Sequence, residues 1–313
     1  MSEFIVTGGA GFIGSHLVHA LVDAGHHVRV VDDFSTGLRE NLDGLDGAID
    51  VFEGRVLEPE LLEEAFAGAE YCLHEAALPS VPRSIEDPVS SNRVNVEGSI
   101  QVFLAARNAG LKRVVYASSS SVYGSNSSSA PCHEDFSRAP MSPYGASKAA
   151  VEFYARTFSE IYEVDLVGLR YFNVFGPRQN PDSPYAAVVP IFIARMLAGE
   201  SPPVFGDGEQ SRDFTYVDNV VKANLEACGL DGRLSGIYNI ACGETTSLLE
   251  LVGHLNAFLG RNLAPAFLPG RKGDIHVSCA DITRAHTVLG YSPEVDVEEG
   301  LRRTVAWFKQ KEA

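Results

Sequence analysis

A glycine-spaced turn between a short apolar run and an amphipathic one constrains this chain more than any other feature. Phe4-Ile5-Val6 reads as a buried strand that enters Thr7-Gly8-Gly9-Ala10-Gly11-Phe12-Ile13-Gly14. Past the turn, Ile13, Leu17, Leu21 and Ala24 recur at helical spacing until Gly25 stops them. In such a unit the first glycine permits the tight turn. The second lets a pyrophosphate approach the backbone, and the third lets helix and strand pack closely. The helix amino terminus adds free N–H groups and the positive end of a dipole. Gly8, Gly11 and Gly14, with Phe12 and Ile13 in the opening helical turn, therefore predict a dinucleotide site. A second strand, His27 to Val31, ends at Asp32. An acid there accepts both ribose hydroxyls and repels a 2′-phosphate, which favours NAD over NADP.

The alternation continues. Ile49 to Phe52 reads as a strand, Leu61 to Ala67 as a short helix, and Tyr71 to His74 as a strand. A long helix is predicted from Asp87-Pro88 to Ala109, then strands at Arg113 to Ser118 and Asp165 to Arg170. Strands alternating with helices imply a parallel sheet covered on both faces. The fold class expected is α/β, a Rossmann-type doubly wound sheet with a smaller C-terminal α/β lobe. Residues 1–172 form the NAD-binding domain in this reading. Residues 173–313 are mainly the substrate lobe, and segments around 214–241 return to the first domain. Helices are predicted at 187–198, 218–228, 247–259 and 298–310, with a strand at 237–241. Ser118 to Ser129 holds eight serines in twelve positions. It begins at the carboxyl end of a strand, where open α/β sheets bind ligands, which argues against a flexible linker.

Charge narrows the partners. Lys and Arg number 25 against 41 Asp and Glu, a formal net charge of −16. That disfavours nucleic acid and anionic membrane, which need basic patches. The five cysteines form no Cys-x-x-Cys pair, and the histidines show no metal-ligand spacing. No metal is expected. The Met1-Ser2-Glu3 start predicts no signal peptide, no apolar run approaches a membrane span, and a cytoplasmic location is expected.

The second chemical signal is Ser142-Pro143-Tyr144-Gly145-Ala146-Ser147-Lys148. Pro143 suits the first helical position and Ser142 can cap it. Tyr144 and Lys148, four apart, then share one helix face. A cation beside a phenol favours the phenolate, so the pair is a candidate general base near neutral pH.

Read in order, the glycine turn, Ala76-Ala77, Ser118-Ser119-Ser120-Ser121-Val122-Tyr123-Gly124, Tyr-x-x-x-Lys, Tyr171-Phe172-Asn173-Val174-Phe175-Gly176-Pro177, Gly206-Asp207-Gly208, Ser211-Arg212-Asp213-Phe214 and Arg271-Lys272-Gly273-Asp274 form a series over nearly the whole chain. The series resembles the extended short-chain dehydrogenase/reductase superfamily, in particular its nucleotide-sugar 4-epimerases. The resemblance implies that Tyr144 takes the proton of the sugar 4-hydroxyl while C4 gives hydride to NAD. Lys148 holds the nicotinamide ribose, and Ser119 bonds the same sugar oxygen. The 4-keto sugar then turns and takes the hydrogen back on its other face. Ala76, Asn95 and Phe172 are implied cofactor contacts. Ser80, Arg83, Ser120, Asn173, Val189, Arg212, Arg271, Asp274 and Ser278 are implied substrate contacts. A homodimer through a four-helix interface is also implied.

Relatives that dehydrate or decarboxylate the sugar carry acids beside the strand-five hydroxyl. Here those positions are Ser120 and Ser121, which cannot act as carboxylates. Ser80 to Ser84 and Pro184 to Pro190 look most like the branch acting on UDP-N-acetylhexosamines. Ser278 falls where a tyrosine in relatives excludes the N-acetyl group, so serine leaves room. The expected reaction is 4-epimerisation of UDP-N-acetylglucosamine or UDP-N-acetylgalactosamine, with UDP-glucose or UDP-galactose also accepted. UDP-glucuronate, another nucleotide-sugar dehydrogenase, and a non-catalytic NAD sensor are the alternatives. One departure stands out: Gly54-Arg55 replaces the family's Gly-Asp, and an arginine cannot accept the adenine amino group's hydrogen bond.

Overall fold

The structure is a computed structural model, and it describes residues 1–128, 131–181, 186–270 and 276–311. In chain order the N-terminal half runs β1 (Glu3–Thr7), α1 (Phe12–Asp23), β2 (His27–Asp32), β3 (Ile49–Glu53), α2 (Pro59–Phe66), β4 (Tyr71–His74), α3 (Val81–Glu86), α4 (Pro88–Asn92), α5 (Gly98–Ala109), β5 (Arg113–Ser119), α6 (Pro143–Tyr162) and β6 (Leu166–Tyr171). The second half runs β7 (Val174–Phe175), α7 (Val188–Leu197), β8 (Pro203–Phe205), β9 (Ser211–Arg212), β10 (Thr215–Tyr216), α8 (Val217–Gly229), β11 (Gly236–Ile240), β12 (Thr246–Ser247), α9 (Leu248–Leu259), β13 (Ala266–Leu268), β14 (Val277–Ser278), α10 (Thr283–Leu289) and α11 (Val297–Lys311).

One seven-stranded sheet, ordered β3-β2-β1-β4-β5-β6-β11, is parallel throughout. Strand alternation builds two cores. Phe4 and Val6 face α1 and α8, while Ile5 faces α2, α5 and α6. Val115 and Val114 divide in the same way on β5. Burial on both faces explains why these strands read as nearly continuous apolar runs. The strand order reverses between β1 and β4, the switch point where ligands bind in such sheets. β11 pairs with β6, which brings a late segment back to the sheet. The later helices α7, α9 and α11 build a separate core around Phe192, Leu255 and Phe308.

The long helix expected over 88–109 is interrupted. Between α4 and α5 the residues Arg93–Glu97 form a π-helical turn. Asn95 at its centre is pulled onto the Leu78 backbone, and such bulges re-aim a side chain at the cost of one widened turn. The serine-rich stretch is ordered where it leaves the sheet. β5 runs to Ser119, and a 3-10 turn follows over Ser120–Val122, where the Ser119 hydroxyl accepts from the Ser121 N–H. The α3 and α10 helices were too short to show a period in the sequence.

Candidate active site

The carboxyl ends of β1, β2, β4, β5 and β6 open into one cleft of about 960 Å³. Its walls include Gly8, Gly11, Phe12, Ile13, Gly14, Asp32, Ala76, Ser80, Arg83, Ser119, Ser120, Tyr144, Lys148 and Asn173. Sequence reasoning singled out all of these, from segments spread over more than half the chain.

The dinucleotide end is shaped by glycine. Gly8 has φ +69°, and a Cβ there would lie 2.7 Å from the Ala76 nitrogen. A Cβ on Gly14 would lie 2.1 Å from the Gly8 carbonyl oxygen. The turn thus has room for backbone alone, and the α1 amino terminus lies open to the cleft. Asp32 is buried, and its carboxylate accepts from the Ala10 N–H at 2.9 Å and the Phe34 N–H at 2.8 Å. Burial raises its proton affinity against those two amides. Asp32 therefore ties the glycine turn to β2 while lining the cleft. Arg55 also lines the cleft, with its Nε 3.5 Å from Asp33 Oδ2. This backbone cradle beside an acid at the β2 terminus fits a dinucleotide: Gly8 to Gly14 would meet its pyrophosphate and Asp32 its adenosine ribose.

At the reacting end, α6 begins as its sequence suggests. The Ser142 hydroxyl accepts from the Gly145 N–H at 3.1 Å, and Pro143 occupies the first turn. The Ser84 hydroxyl accepts from the Tyr144 N–H at 3.0 Å, which ties α3 to α6. A Cβ on Gly145 would lie 2.7 Å from the Ser121 carbonyl, so the helix presses directly on the serine turn. That contact brings the Ser119 hydroxyl close enough to the Tyr144 hydroxyl to lower its proton affinity. Lys148 Nζ donates to the Ala117 carbonyl at 2.9 Å and stands 6.0 Å from the Tyr144 ring centroid.

The expected depression of the phenol is not present in this arrangement. Burial pushes the Tyr144 hydroxyl up to about 12; the Ser119 hydrogen bond opposes this and the charge of Glu75 adds to it. Burial brings Lys148 down to about 8, opposed by Glu75 and Glu152. The physical reason is that desolvation of a neutral acid outweighs a cation engaged with a carbonyl. A further positive charge close to the phenol is required for it to act as a base near neutrality.

Five expected contacts lie off the cleft wall. Asn95 spends its amide on Leu78 N–H at 2.7 Å, the Leu78 carbonyl and the Ser147 hydroxyl at 3.0 Å, and so braces the wall from behind. Phe172 is buried against Tyr123. Val189 is buried in the first turn of α7. Arg212 donates to the Ser211 and His276 carbonyls at 2.9 and 3.3 Å. Ser278 is buried and pairs in register with Arg212 between β14 and β9. Arg271 and Asp274 lie outside the described residues.

Three groups escaped the sequence reading. Glu75 and Tyr171 line the cleft, joined by a 2.7 Å hydrogen bond from the tyrosine hydroxyl. Glu152 lies one turn past Lys148 and binds the Ser118 hydroxyl at 2.6 Å and buried Arg170 through two nitrogens at 2.8 and 2.7 Å. Burial alone would raise the Glu152 carboxyl, but Arg170, Ser118 and Arg138 together hold it below its ordinary value. The available signal was its place on the Tyr144–Lys148 face of α6. His74 is structural, with ring nitrogens on Thr7 and Ser99 at 2.7 and 2.9 Å and a proton affinity pushed by burial down to about 3. No group of metal-binding side chains occurs among the described residues, and no described helix is long and apolar enough to cross a membrane.

Residues 4–241 match the NAD dependent epimerase/dehydratase family. The chain belongs to that family, an extended short-chain dehydrogenase/reductase enzyme class, and NAD is its cofactor. Among individual relatives, it is 40% identical over 314 residues to a UDP-glucose 4-epimerase of Mycolicibacterium smegmatis, covering 98% of each chain. It is 41% identical to a UDP-N-acetylglucosamine 4-epimerase from Methanobrevibacter ruminantium, solved with UDP-N-acetylmuramic acid, with a TM-score of 0.94 and 99% of each chain covered. A Thermus thermophilus UDP-glucose 4-epimerase solved with NAD is 35% identical, with a TM-score of 0.88 over 98% of this chain and 99% of that one.

Proposed function

We propose that this UDP-sugar 4-epimerase acts on UDP-N-acetylglucosamine and UDP-N-acetylgalactosamine, with UDP-glucose and UDP-galactose also accepted. The residue that carries the N-acetyl assignment is Ser278, which by resemblance falls where a tyrosine closes the pocket in relatives; it pairs in register with Arg212, off the described cleft wall. The likeness to the Methanobrevibacter enzyme supports it.

NAD, when bound, accepts the hydrogen of the sugar C4 and returns it, and its oxidised ring supplies the extra positive charge that the Tyr144 hydroxyl requires. Tyr144 takes the proton of the sugar 4-hydroxyl. Ser119 holds the Tyr144 oxygen and shares the departing proton. Lys148, anchored on the Ala117 carbonyl, would hold the cofactor ribose and keep a cation near Tyr144. Ser120 and Ser121 offer no carboxylate, so the keto sugar undergoes neither elimination nor decarboxylation by a neighbouring acid. Asn173 from the β6–β7 turn, Arg212, Arg271 and Asp274 hold the nucleotide diphosphate in this reading.

Arg83 favours a second reading, because it lines the cleft and a cation there suits the carboxylate of UDP-glucuronate. Product analysis after separate incubation with the N-acetyl, glucose and glucuronate nucleotides, without added NAD, decides. Conversion of the N-acetyl sugar supports the proposal, and conversion of UDP-glucuronate alone replaces it.

The assembly proposed is a homodimer. Ile85, Val89, Phe153 and Ile161 on α3, α4 and α6 are each more than half exposed. Apolar side chains on adjoining helices fit a helical interface. Sedimentation as a monomer at micromolar concentration would remove this part. Five unpaired cysteines support a reducing, cytoplasmic setting.

A further inference from the structure

Glu75 emerges at the end of β4, at the switch point of the sheet, with its N–H on the Thr7 carbonyl at 3.1 Å. It shares the cleft wall with Ser119, Tyr144 and Lys148. Its Oε1 accepts from the Tyr171 hydroxyl at 2.7 Å, and that hydroxyl in turn accepts from Asn224 Nδ2 at 2.9 Å. Asn224 is itself fixed by the Val220 carbonyl at 2.8 Å. The carboxylate is thus aimed by a chain crossing from α8 through β6, yet it forms no ion pair with a described residue. A partly buried acid without a paired cation is held at a cost unless a charge reaches it at some stage of the working cycle.

We propose that Glu75 is a positioning residue of the reacting centre, a fixed counter-charge that sets the protonation of the Tyr144–Lys148 pair. This rests on the reading of Tyr144 as the base. With NAD bound, Lys148 and the oxidised nicotinamide ring bring two positive charges into the cleft. The Tyr144 phenolate offsets one and Glu75 offsets the other, so no net charge is left in the cleft.

The groups facing Glu75 give the sign. From α6, Lys148 lowers its proton affinity while Glu75 in return raises that of Lys148 and of Tyr144. From β6, Tyr171 donates to it, with Cys228 of α8 close to that tyrosine. Cys72 on its own strand stays protonated. Glu152 acts on Lys148 from below. Burial pushes the Glu75 carboxyl up to about 7, against the Tyr171 hydrogen bond and the Lys148 charge, and positive charge brought into the cleft favours its ionised form.

Glu75→Gln keeps an acceptor for Tyr171 and removes the charge. In the NAD-loaded protein both limbs of the turnover–pH profile, Tyr144 on the acid side and Lys148 on the basic side, are expected to move down by about one pH unit. The ultraviolet phenolate titration, taken as a difference against Tyr144→Phe, is expected to move with them. Tyr171→Phe, which raises the Glu75 proton affinity, is expected to shift the same limbs in the same direction by less. Phenolate titration and limbs that overlay the parent, even with turnover reduced, would overturn the proposal and leave Glu75 a structural group. A shifted phenolate titration in a protein that turns over no UDP-sugar would support the counter-charge and refute the substrate assignment instead.

Discussion

Replacing Gly14 with alanine tests how the cofactor cradle is built. The added Cβ would lie 2.1 Å from the Gly8 carbonyl oxygen, 2.8 Å from its carbon and 2.9 Å from Gly9 Cα. All three are backbone atoms, so no side chain can swing aside. Restoring a contact of about 3 Å needs α1 to move from the turn by roughly 0.9 Å, more than half the 1.5 Å rise of one helical residue. A phosphate hydrogen bond of about 2.9 Å from the α1 amides then stretches to roughly 3.8 Å, beyond useful range. Losing one or two charged hydrogen bonds at about 1.5–3 kcal/mol each weakens NAD binding by roughly tenfold to 10⁴-fold. The overpacking itself costs about 1–3 kcal/mol of stability. Calorimetric titration of NAD into stripped protein measures the first effect, and denaturant unfolding the second. Gly253→Ala is the control: it lies on the exposed face of α9 with nothing within 4 Å of its added Cβ, and it is expected to stabilise by about 0.5–1 kcal/mol. Binding of NAD by Gly14→Ala with parental affinity would refute the argument that close packing of α1 on the turn sets the cradle.

Three other perturbations probe separate parts of the site. Tyr144→Phe is expected to lower turnover by at least about 10²-fold while changing NAD affinity only slightly, since in the proposed mechanism the phenol acts on the sugar; retained turnover would end its assignment as base. Glu152→Gln leaves Arg170, fully buried, without its carboxylate, and is expected to cost about 3–5 kcal/mol in denaturant unfolding. Because Glu152 is held below its ordinary value of 4.5, its stabilisation is present above that value and fades as pH falls through the lower folded-state value. The acid-side loss of stability should therefore be shallower in Glu152→Gln than in the parent, and identical slopes would contradict it. Ser278→Tyr is expected to abolish turnover of the N-acetyl sugar and spare UDP-glucose; equal loss of both would remove Ser278 as the size gate.

The sequence by itself determined the fold class and the two ends of the site. An unbroken apolar run at Phe4 to Val6, a period near four in Ile13 to Leu21, and glycine where only backbone fits are local properties of short segments. So is the four-residue spacing that stacks Tyr144 and Lys148 on one face. Tertiary structure decided what depends on burial and on segments far apart in the chain. The π turn at Asn95 exists because Leu78 lies opposite it. Phe172 turns into the core because Tyr123 packs there. Tyr144 keeps its proton because the cleft desolvates it, an effect with no trace in a Tyr-x-x-x-Lys spacing. Glu75 looked like any strand-end acid until β6 and α8 brought Tyr171 and Asn224 against it. Local spacing fixes which groups share a face, but their charges follow from solvent exclusion, and only the packed molecule sets that.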